Sequence, residues 1–238
     1  MAIFKIDGKD VEIIPGVNVL QTAIKNDVYV PHYCYHPGLS APANCRMCLV
    51  EVEVSGRRSL VPSCTAMPIE NMIVETQSEG VKKNQNAIME FLLINHPLDC
   101  PVCDQAGECE LQNYSYEFGP DRSRFFEAKS IQPKKDIGNH IKLYSDRCIR
   151  CTRCIRFCDE ISGTSELGYF NRGVHNEVDI FPGERLDNRL SGNTVDICPV
   201  GALLDKEFLF KQRVWVLDGK DTICNSCSTG CNIRADIN

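Results

Sequence analysis

Absences bound this chain before any motif is read. It has no excess of positive charge: 26 Lys and Arg stand against 32 Asp and Glu, a formal net charge of −6. General nucleic-acid binders usually present a basic surface, so that class is disfavoured. It has no apolar run approaching the roughly 18 residues that span a bilayer. The longest candidate, Ile88 to Ile94, is interrupted by Glu90. Its first ten residues carry neither a long apolar segment nor a small-residue cleavage site, and they are not Arg-rich, so neither a secretory signal nor a transit peptide is expected. There is no G-x-G-x-x-G, hence no dinucleotide fingerprint. A hydrophobic content of 43% with 24% charged residues is ordinary for a globular protein and argues against disorder. A length of 238 residues allows one or two ordinary domains.

What the chain does have is cysteine. There are 15, an odd number, in a chain for which no leader is expected. Disulfide scaffolds are usually short, even in cysteine and secreted. Clustered thiols in a reducing compartment are more often metal ligands.

The elements expected around them are as follows. Ile3 to Asp7 alternates, Gly8 turns, and Val11 to Ile14 returns as a hairpin. Asn18 caps a short helix from Val19 to about Asn26. β-like runs cover Met47 to Val54, Ser59 to Val61 and Asn71 to Glu75. Strands, one helix and a cysteine loop suit a β-grasp ferredoxin domain over 1–78. A helix from about Glu79 to Asn95 places Val81, Ile88, Phe91 and Leu92 on one face and ends at Pro97. Residues 120–137 read as a charged linker, Val174 to Phe181 as a strand, and Asp196 to Phe210 as a resumed helical pattern. From Trp215 a strand-like run begins something new.

Four constellations follow. Cys34, Cys45, Cys48 and Cys64 are spaced C-x10-C-x2-C-x15-C. A C-x2-C core with a distant partner is the plant-type 2Fe–2S pattern with a longer first loop. Gly38, Ala41, Ala43 and Asn44 let backbone N–H groups approach electron-rich sulfur. A zinc site would ordinarily bring two C-x2-C-like pairs, and here there is one.

His96, Cys100, Cys103 and Cys109 form H-x3-C-x2-C-x5-C, with only three thiols to hand. Imidazole replaces thiolate on iron in Rieske centres. The plainer alternative for His96 is a helix C-terminal histidine facing the dipole. Beside this cysteine run, ligation of a 4Fe–4S cluster is the better reading.

Cys148, Cys151, Cys154 and Cys158 form the C-x2-C-x2-C-x3-C of bacterial ferredoxins, with Cys198-Pro199 downstream. In two-cluster ferredoxins each fourth cysteine serves the other cluster. A second run counted back from Cys198 would need thiols at Thr194, Ser191 and Asn188, so the second cluster is absent. Cys198 should then complete the set with Cys148, Cys151 and Cys154, leaving Cys158 a buried free thiol. Arg147, Arg150, Arg153 and Arg156 interleave with these cysteines. They read better as counter-charges to an anionic cluster than as a phosphate-binding knuckle.

Cys224, Cys227 and Cys231 have no local fourth partner. They are an incomplete 4Fe–4S set, to be filled only by a ligand from outside the visible chain.

Together these residues name a family. HPLDCPVCDQAGECELQ at His96 to Cys109, DRCIRCTRCIRFC at Cys148 to Cys158 and VDICPVGAL at Cys198 resemble the N-terminal iron–sulfur part of the large Fe–S subunit of NADH:quinone oxidoreductase, respiratory complex I. A related short subunit occurs in NAD-reducing hydrogenases. The resemblance implies an α+β chain. In it, a 2Fe–2S domain (1–78) precedes a histidine-ligated 4Fe–4S segment (79–119) and a bacterial-ferredoxin-like 4Fe–4S domain (120–215). The start of a molybdopterin-oxidoreductase-like domain (216–238) follows, with its remainder beyond Asn238. It implies one 2Fe–2S and two 4Fe–4S clusters, relaying single electrons from a flavin/NADH-binding subunit toward a quinone-reducing module. With no dinucleotide fingerprint, NADH oxidation would belong to another chain. The setting implied is a peripheral arm on the cytoplasmic face of the inner membrane, reached through partner subunits, with no nucleic acid. Rival readings are a wiring subunit of a hydrogenase or an NAD-dependent formate dehydrogenase, a zinc-binding structural protein, and a molybdopterin enzyme, for which the chain is too short.

Overall fold

The computed structural model describes residues 2–237. The first strands, β1 (Ile3–Ile6) and β2 (Lys9–Glu12), form the expected hairpin, with Asp7 and Gly8 both at positive φ in its turn. Helix α1 (Val19–Lys25) starts where Asn18 predicts, through a full capping box. The Asn18 carboxamide oxygen accepts from Gln21 N at 2.8 Å, and Gln21 Oε1 accepts from Asn18 N at 3.0 Å. Strands β3 (Leu49–Val54), β4 (Arg57–Pro62) and β5 (Ile73–Glu75) complete a mixed sheet of order β2-β1-β5-β3-β4, in which only β1 and β5 run parallel. One face of α1 (Val19, Leu20, Ala23) is buried against Phe4, Ile6, Val50, Val52 and Val74. Cys48 and Cys64 belong to the same core, so the end of the sheet carries two thiols.

Helix α2 spans Glu79–Asn95, as expected, capped by Ser78 and stopped before Pro97. Its buried stripe is Val81, Gln85 and Met89, one residue every fourth, with Ile88 and Leu92 half-buried beside it. Phe91 does not share it and is 74% exposed. It lies two residues past Met89, on the opposite side of a 3.6-residue turn. Helix α3 (Glu110–Phe118) begins at Cys109 and packs on α2.

After the irregular stretch that leads to β6 (Lys134–Asp136), β7 (Ile141–Tyr144) and β10 (Leu203–Asp205) build a three-stranded antiparallel sheet of order β10-β7-β6. Between β7 and β10 lie α4 (Arg153–Phe157), a hairpin of β8 (Leu167–Phe170) and β9 (Glu177–Ile180), and the single turn α5 (Asn193–Asp196). The helix expected over 196–210 is therefore wrong. Pro199 cannot continue a helix, and Leu203 pairs with Leu143 in the sheet. The last strands, β11 (Asp218–Ile223) and β12 (Asn232–Ile237), form a separate exposed hairpin. No helix among the described residues is long and apolar enough to cross a membrane.

Candidate metal centres

Cys34, Cys45, Cys48 and Cys64 come together at the end of the β1–β5 sheet. Cys34 N donates to Cys45 Sγ at 3.4 Å. The Cys34 thiol interacts with those of Cys45 and Cys64, and Cys64 with Cys48. This mutual hydrogen bonding pushes the Cys34 thiol down and the Cys64 thiol up. Asn18, the α1 cap, donates its Nδ2 to Cys64 O at 2.9 Å and so fixes that thiol's backbone. Ala43 and Arg46 flank Cys45 at positive φ (50° and 61°). Left-handed residues set into a turn make successive N–H groups converge, which suits an anionic occupant.

Cys148, Cys151, Cys154 and Cys198 line one small cavity with Leu143, Val178, Val200 and Leu203. After Pro199 the chain stays close: Cys198 Sγ donates to Val200 O at 3.0 Å, and the backbone of Val200, Leu203 and Ala202 counters the rise that burial imposes on the Cys198 thiol. Arg150 N donates to Cys148 Sγ at 3.3 Å. Arg150 and Thr152 flank Cys151 at positive φ (57° and 68°), repeating the pattern around Cys45. Burial pushes the Cys148 thiol up to about 11 and that of Cys151 to about 12. Thiols held this far from ionisation cost the fold nothing as neutral groups, and a metal that replaces the proton recovers their ligand strength. Cys158 is not part of the cavity lining. It is fully buried, its thiol raised to about 11 chiefly by burial.

Cys100, Cys103 and Cys109 gather where residues 98–109 fold between α2 and α3, close enough for the first two to raise the Cys109 thiol, already raised to about 11 mainly by burial. Gly201 forms the opposite wall. A Cβ there would collide with Cys103 Sγ and meet Arg147 Cδ at 3.8 Å. His96 caps the end of α2 and shares two charged neighbours, Asp99 and Arg147, with Cys103. Desolvation lowers its imidazole to about 4, so at neutral pH its ring is uncharged with a free lone pair. An uncharged ring leaves the dipole at this helix end without a cation from His96. Lys129 does that work instead, its Nζ donating to Leu93 O at 2.6 Å and Ile94 O at 2.9 Å.

Cys224, Cys227 and Cys231 sit at the turn of the β11–β12 hairpin, the last two exposed. Cys224 N donates to Cys231 O at 2.8 Å. Ser226 lowers the Cys224 thiol and Thr229 that of Cys227 by local hydrogen bonds. No three His, Cys, Asp or Glu among the described residues are disposed to hold a single metal ion. A lone tetrahedral zinc needs every sulfur within about 2.3 Å of one centre.

The interleaved arginines do more than oppose charge. Arg150 draws down the Cys148 thiol, and Arg153 those of Cys151 and Cys198. They also bind the N-terminal sheet domain. Arg153 Nη2 donates to Tyr35 O at 2.9 Å, and Arg156 donates to Cys34 O and Ser40 O. Ser40 in turn donates to Glu160, and Asn44 Nδ2 to Arg150 O at 2.7 Å. These clasps and the Gly201 wall escape sequence reasoning because each joins residues far apart in the chain. Only the glycine after Cys198-Pro199 hints that something must approach closely there. Buried N–H groups of Arg147 (Nη1) and Arg153 (Nε) stand without partners beside these thiols. An electron-rich sulfur cluster is an acceptor that fits them, so the residues present suit the iron–sulfur groups their spacing implies.

Three family models match in chain order. They are a 2Fe–2S iron–sulfur cluster binding domain (residues 1–79), the NADH-ubiquinone oxidoreductase-G iron–sulfur binding region (85–124) and the ferredoxin-like domain of NADH-quinone oxidoreductase subunit 3 (138–204). The chain is 48% identical over 232 residues to the NADH-quinone oxidoreductase G subunit of Rickettsia typhi, covering 97% of this chain and 34% of that one. It is 46% identical over 231 residues to the mitochondrial NADH dehydrogenase [ubiquinone] iron-sulfur protein 1 of Solanum tuberosum, covering 97% and 31%. It thus spans about a third of the length of these curated relatives. Its backbone is similar to a chain in the crystal structure of an NAD+-reducing [NiFe]-hydrogenase in the H2-reduced state. The TM-score is 0.78 at 28% identity, over 90% of this chain and 91% of that one. With thiols grouped as the motifs require and three family models laid end to end, the chain belongs to the iron–sulfur subunit family of NADH-quinone oxidoreductase, to which the hydrogenase chain is related.

Proposed function

We propose that this chain is an electron-relay subunit of an NADH:quinone oxidoreductase. Cys34, Cys45, Cys48 and Cys64 would hold a 2Fe–2S cluster. His96, Cys100, Cys103 and Cys109 would hold one 4Fe–4S cluster, and Cys148, Cys151, Cys154 and Cys198 another. When bound, these groups supply one-electron chemistry. The chain's own residues seat them, exclude water and donate hydrogen bonds that set their potentials. The observation that carries the reading is their contiguity. Cys34, Cys109 and Cys151, one from each set, lie in a single buried cluster with Tyr33, Met47, Met89 and Val200, and Cys45, Cys148 and Cys198 pack against it. Electron transfer weakens steeply with distance, and one shared core keeps the three sets close.

In this reading electrons arrive from a flavin/NADH-binding partner and leave through other Fe–S subunits. The chain performs no hydride transfer and works in a peripheral arm on the cytoplasmic face of the membrane. Its domains divide at 78/79, 119/120 and 215/216. The test is iron, acid-labile sulfide and zinc on anaerobically purified protein. About ten iron atoms per chain are expected from these stoichiometries. About four more would mean that Cys224, Cys227 and Cys231 find a fourth ligand. Zinc with little iron would refute the relay.

The shared backbone, a TM-score of 0.78 at 28% identity, favours one second reading, the wiring subunit of an NAD-reducing hydrogenase. Nickel in the co-purified complex would select it, and quinone reductase activity without nickel the first.

A further inference from the structure

We propose that Arg147 tunes the cluster of His96, Cys100, Cys103 and Cys109, and not that of Cys148, its neighbour in sequence. The inference rests on the proposed ligation of iron by that histidine and those three cysteines. The side chain is 2% exposed and is held on three sides. Its Nε and Nη2 donate to Asp99 Oδ2 at 3.2 and 2.6 Å, and its guanidinium lies 4.1 Å from the centre of the Tyr144 ring. Its Cδ and Cys103 Sγ both border the space beside Gly201, where a Cβ would collide with the sulfur and stand 3.8 Å from the Cδ. The cavity of Cys148, Cys151, Cys154 and Cys198 is lined by Arg153 and not by Arg147, and the N–H given to Cys148 Sγ, at 3.3 Å, is that of Arg150.

The remaining nitrogen, Nη1, is buried and has no partner. A buried charged donor left unmet is destabilising, because its desolvation is not offset by any acceptor. Cluster sulfide or thiolate sulfur is the acceptor that the surrounding chemistry offers. On reduction, one electron passes from a reduced neighbouring Fe–S cluster to this one. No bond forms or breaks, and the site gains one negative charge. A fixed guanidinium in a low-dielectric setting stabilises that product more than the reactant. Asp99 acts in the opposite sense, and a neutral imidazole in place of a fourth thiolate acts in the same sense as Arg147. His96 and Arg147 thus both make this site easier to reduce.

The experiment is a redox titration followed by low-temperature EPR on the intact cluster-loaded complex. The relevant signal is the one a His96→Ala variant removes. Arg147→Met is expected to lower its reduction equilibrium at least tenfold, which is 59 mV for a one-electron couple, while the other clusters stay in place. Arg147→Lys, which keeps the charge, should recover at least half of that change. Asp99→Asn should move the potential upward. Fully loaded Arg147→Met protein with an unmoved potential overturns the proposal, as does a shift confined to the Cys148 cluster. If Arg147→Met loses the cluster, an unmoved potential in Asp99→Asn overturns it and an upward shift supports it. Failure of the underlying ligation looks different, because wild-type protein would then show no signal sensitive to His96→Ala.

Discussion

Two parts of the molecule carry almost the same cysteine spacing and treat it in opposite ways. Cys148, Cys151 and Cys154 are enclosed by β7, α4 and the β8–β9 hairpin, and Cys198 returns from beyond α5 to join them. Cys224, Cys227 and Cys231 ride on the turn of a hairpin, two of them open to water. In the first set burial pushes the thiols up. In the second, nearby hydroxyls pull two of them down. Spacing nominates ligands; enclosure decides whether the fold has committed to them. The enclosed thiols stay neutral unless a metal replaces their protons, whereas the Cys224 and Cys227 thiols are served by Ser226 and Thr229.

The sharpest test of that contrast is one serine in each set. Cys151→Ser should cost about four iron atoms per chain. Cys227→Ser should leave the iron content unchanged. Anaerobic iron analysis reads both, and equal losses would abolish the distinction.

An arginine in each region comes next. Arg156 is 9% exposed and holds Cys34 O, Ser40 O and, at 3.1 Å, Thr152 Oγ1. Arg156→Met leaves the buried Cys34 carbonyl unmet at about 1–3 kcal/mol. For a chain of this size that is a fall in Tm of roughly 2–12 °C. The readout is a thermal scan of loaded protein, with early loss of the 2Fe–2S spectrum because the clasp grips the Cys34 loop. Arg234 on the hairpin pairs at 3.0 Å with Asp236, and its side chain is 65% exposed. Arg234→Met should change Tm by about 4 °C at most, since exposed pairs contribute under about 1 kcal/mol.

How much of this was legible from the sequence follows the same division. Local signals read well. Asn18 marks the start of α1, Pro97 marks the end of α2, and the C-x2-C runs sort the thiols into the groups that the fold brings together. Non-local pairing did not read. Val200, Ala202, Leu203 and Leu204 resemble part of a helical face, yet all are buried because β10 lies beside β7. Phe91 matches the apolar pattern of α2 and still faces outward, because only the partner elements choose which stripe is covered. Arg147 stands in sequence beside Cys148 and in space beside Cys103, Asp99 and Tyr144. Nothing within a few residues of it records that destination.

A pair of aspartates gives the finest comparison. Asp187, beside the enclosed site's sheet, accepts from Asn139 N at 2.5 Å and from Arg185 Nε at 2.9 Å. The Asn139 N–H, and then Arg185, hold its carboxyl below the ordinary carboxylate range. A depressed folded pKa means that the unfolded chain binds more protons through the window below about pH 4, so stability rises with pH there. The contribution is fully present above the unfolded pKa and is lost as pH falls through the folded one. Asp187→Asn keeps an acceptor for Asn139 but removes the titration. The variant should be less stable than the parent by under about 1 kcal/mol at neutral pH, and the two should converge as the pH falls below about 4. Asp236→Asn, on the exposed hairpin, should stay within about 0.5 kcal/mol of the parent at neutral pH. Denaturation of anaerobic protein at pH 7 and at the lowest pH where clusters persist would read the difference. A gap between Asp187→Asn and the parent that stays constant down to the acid limit would show that the carboxylate acts through geometry and not through its charge.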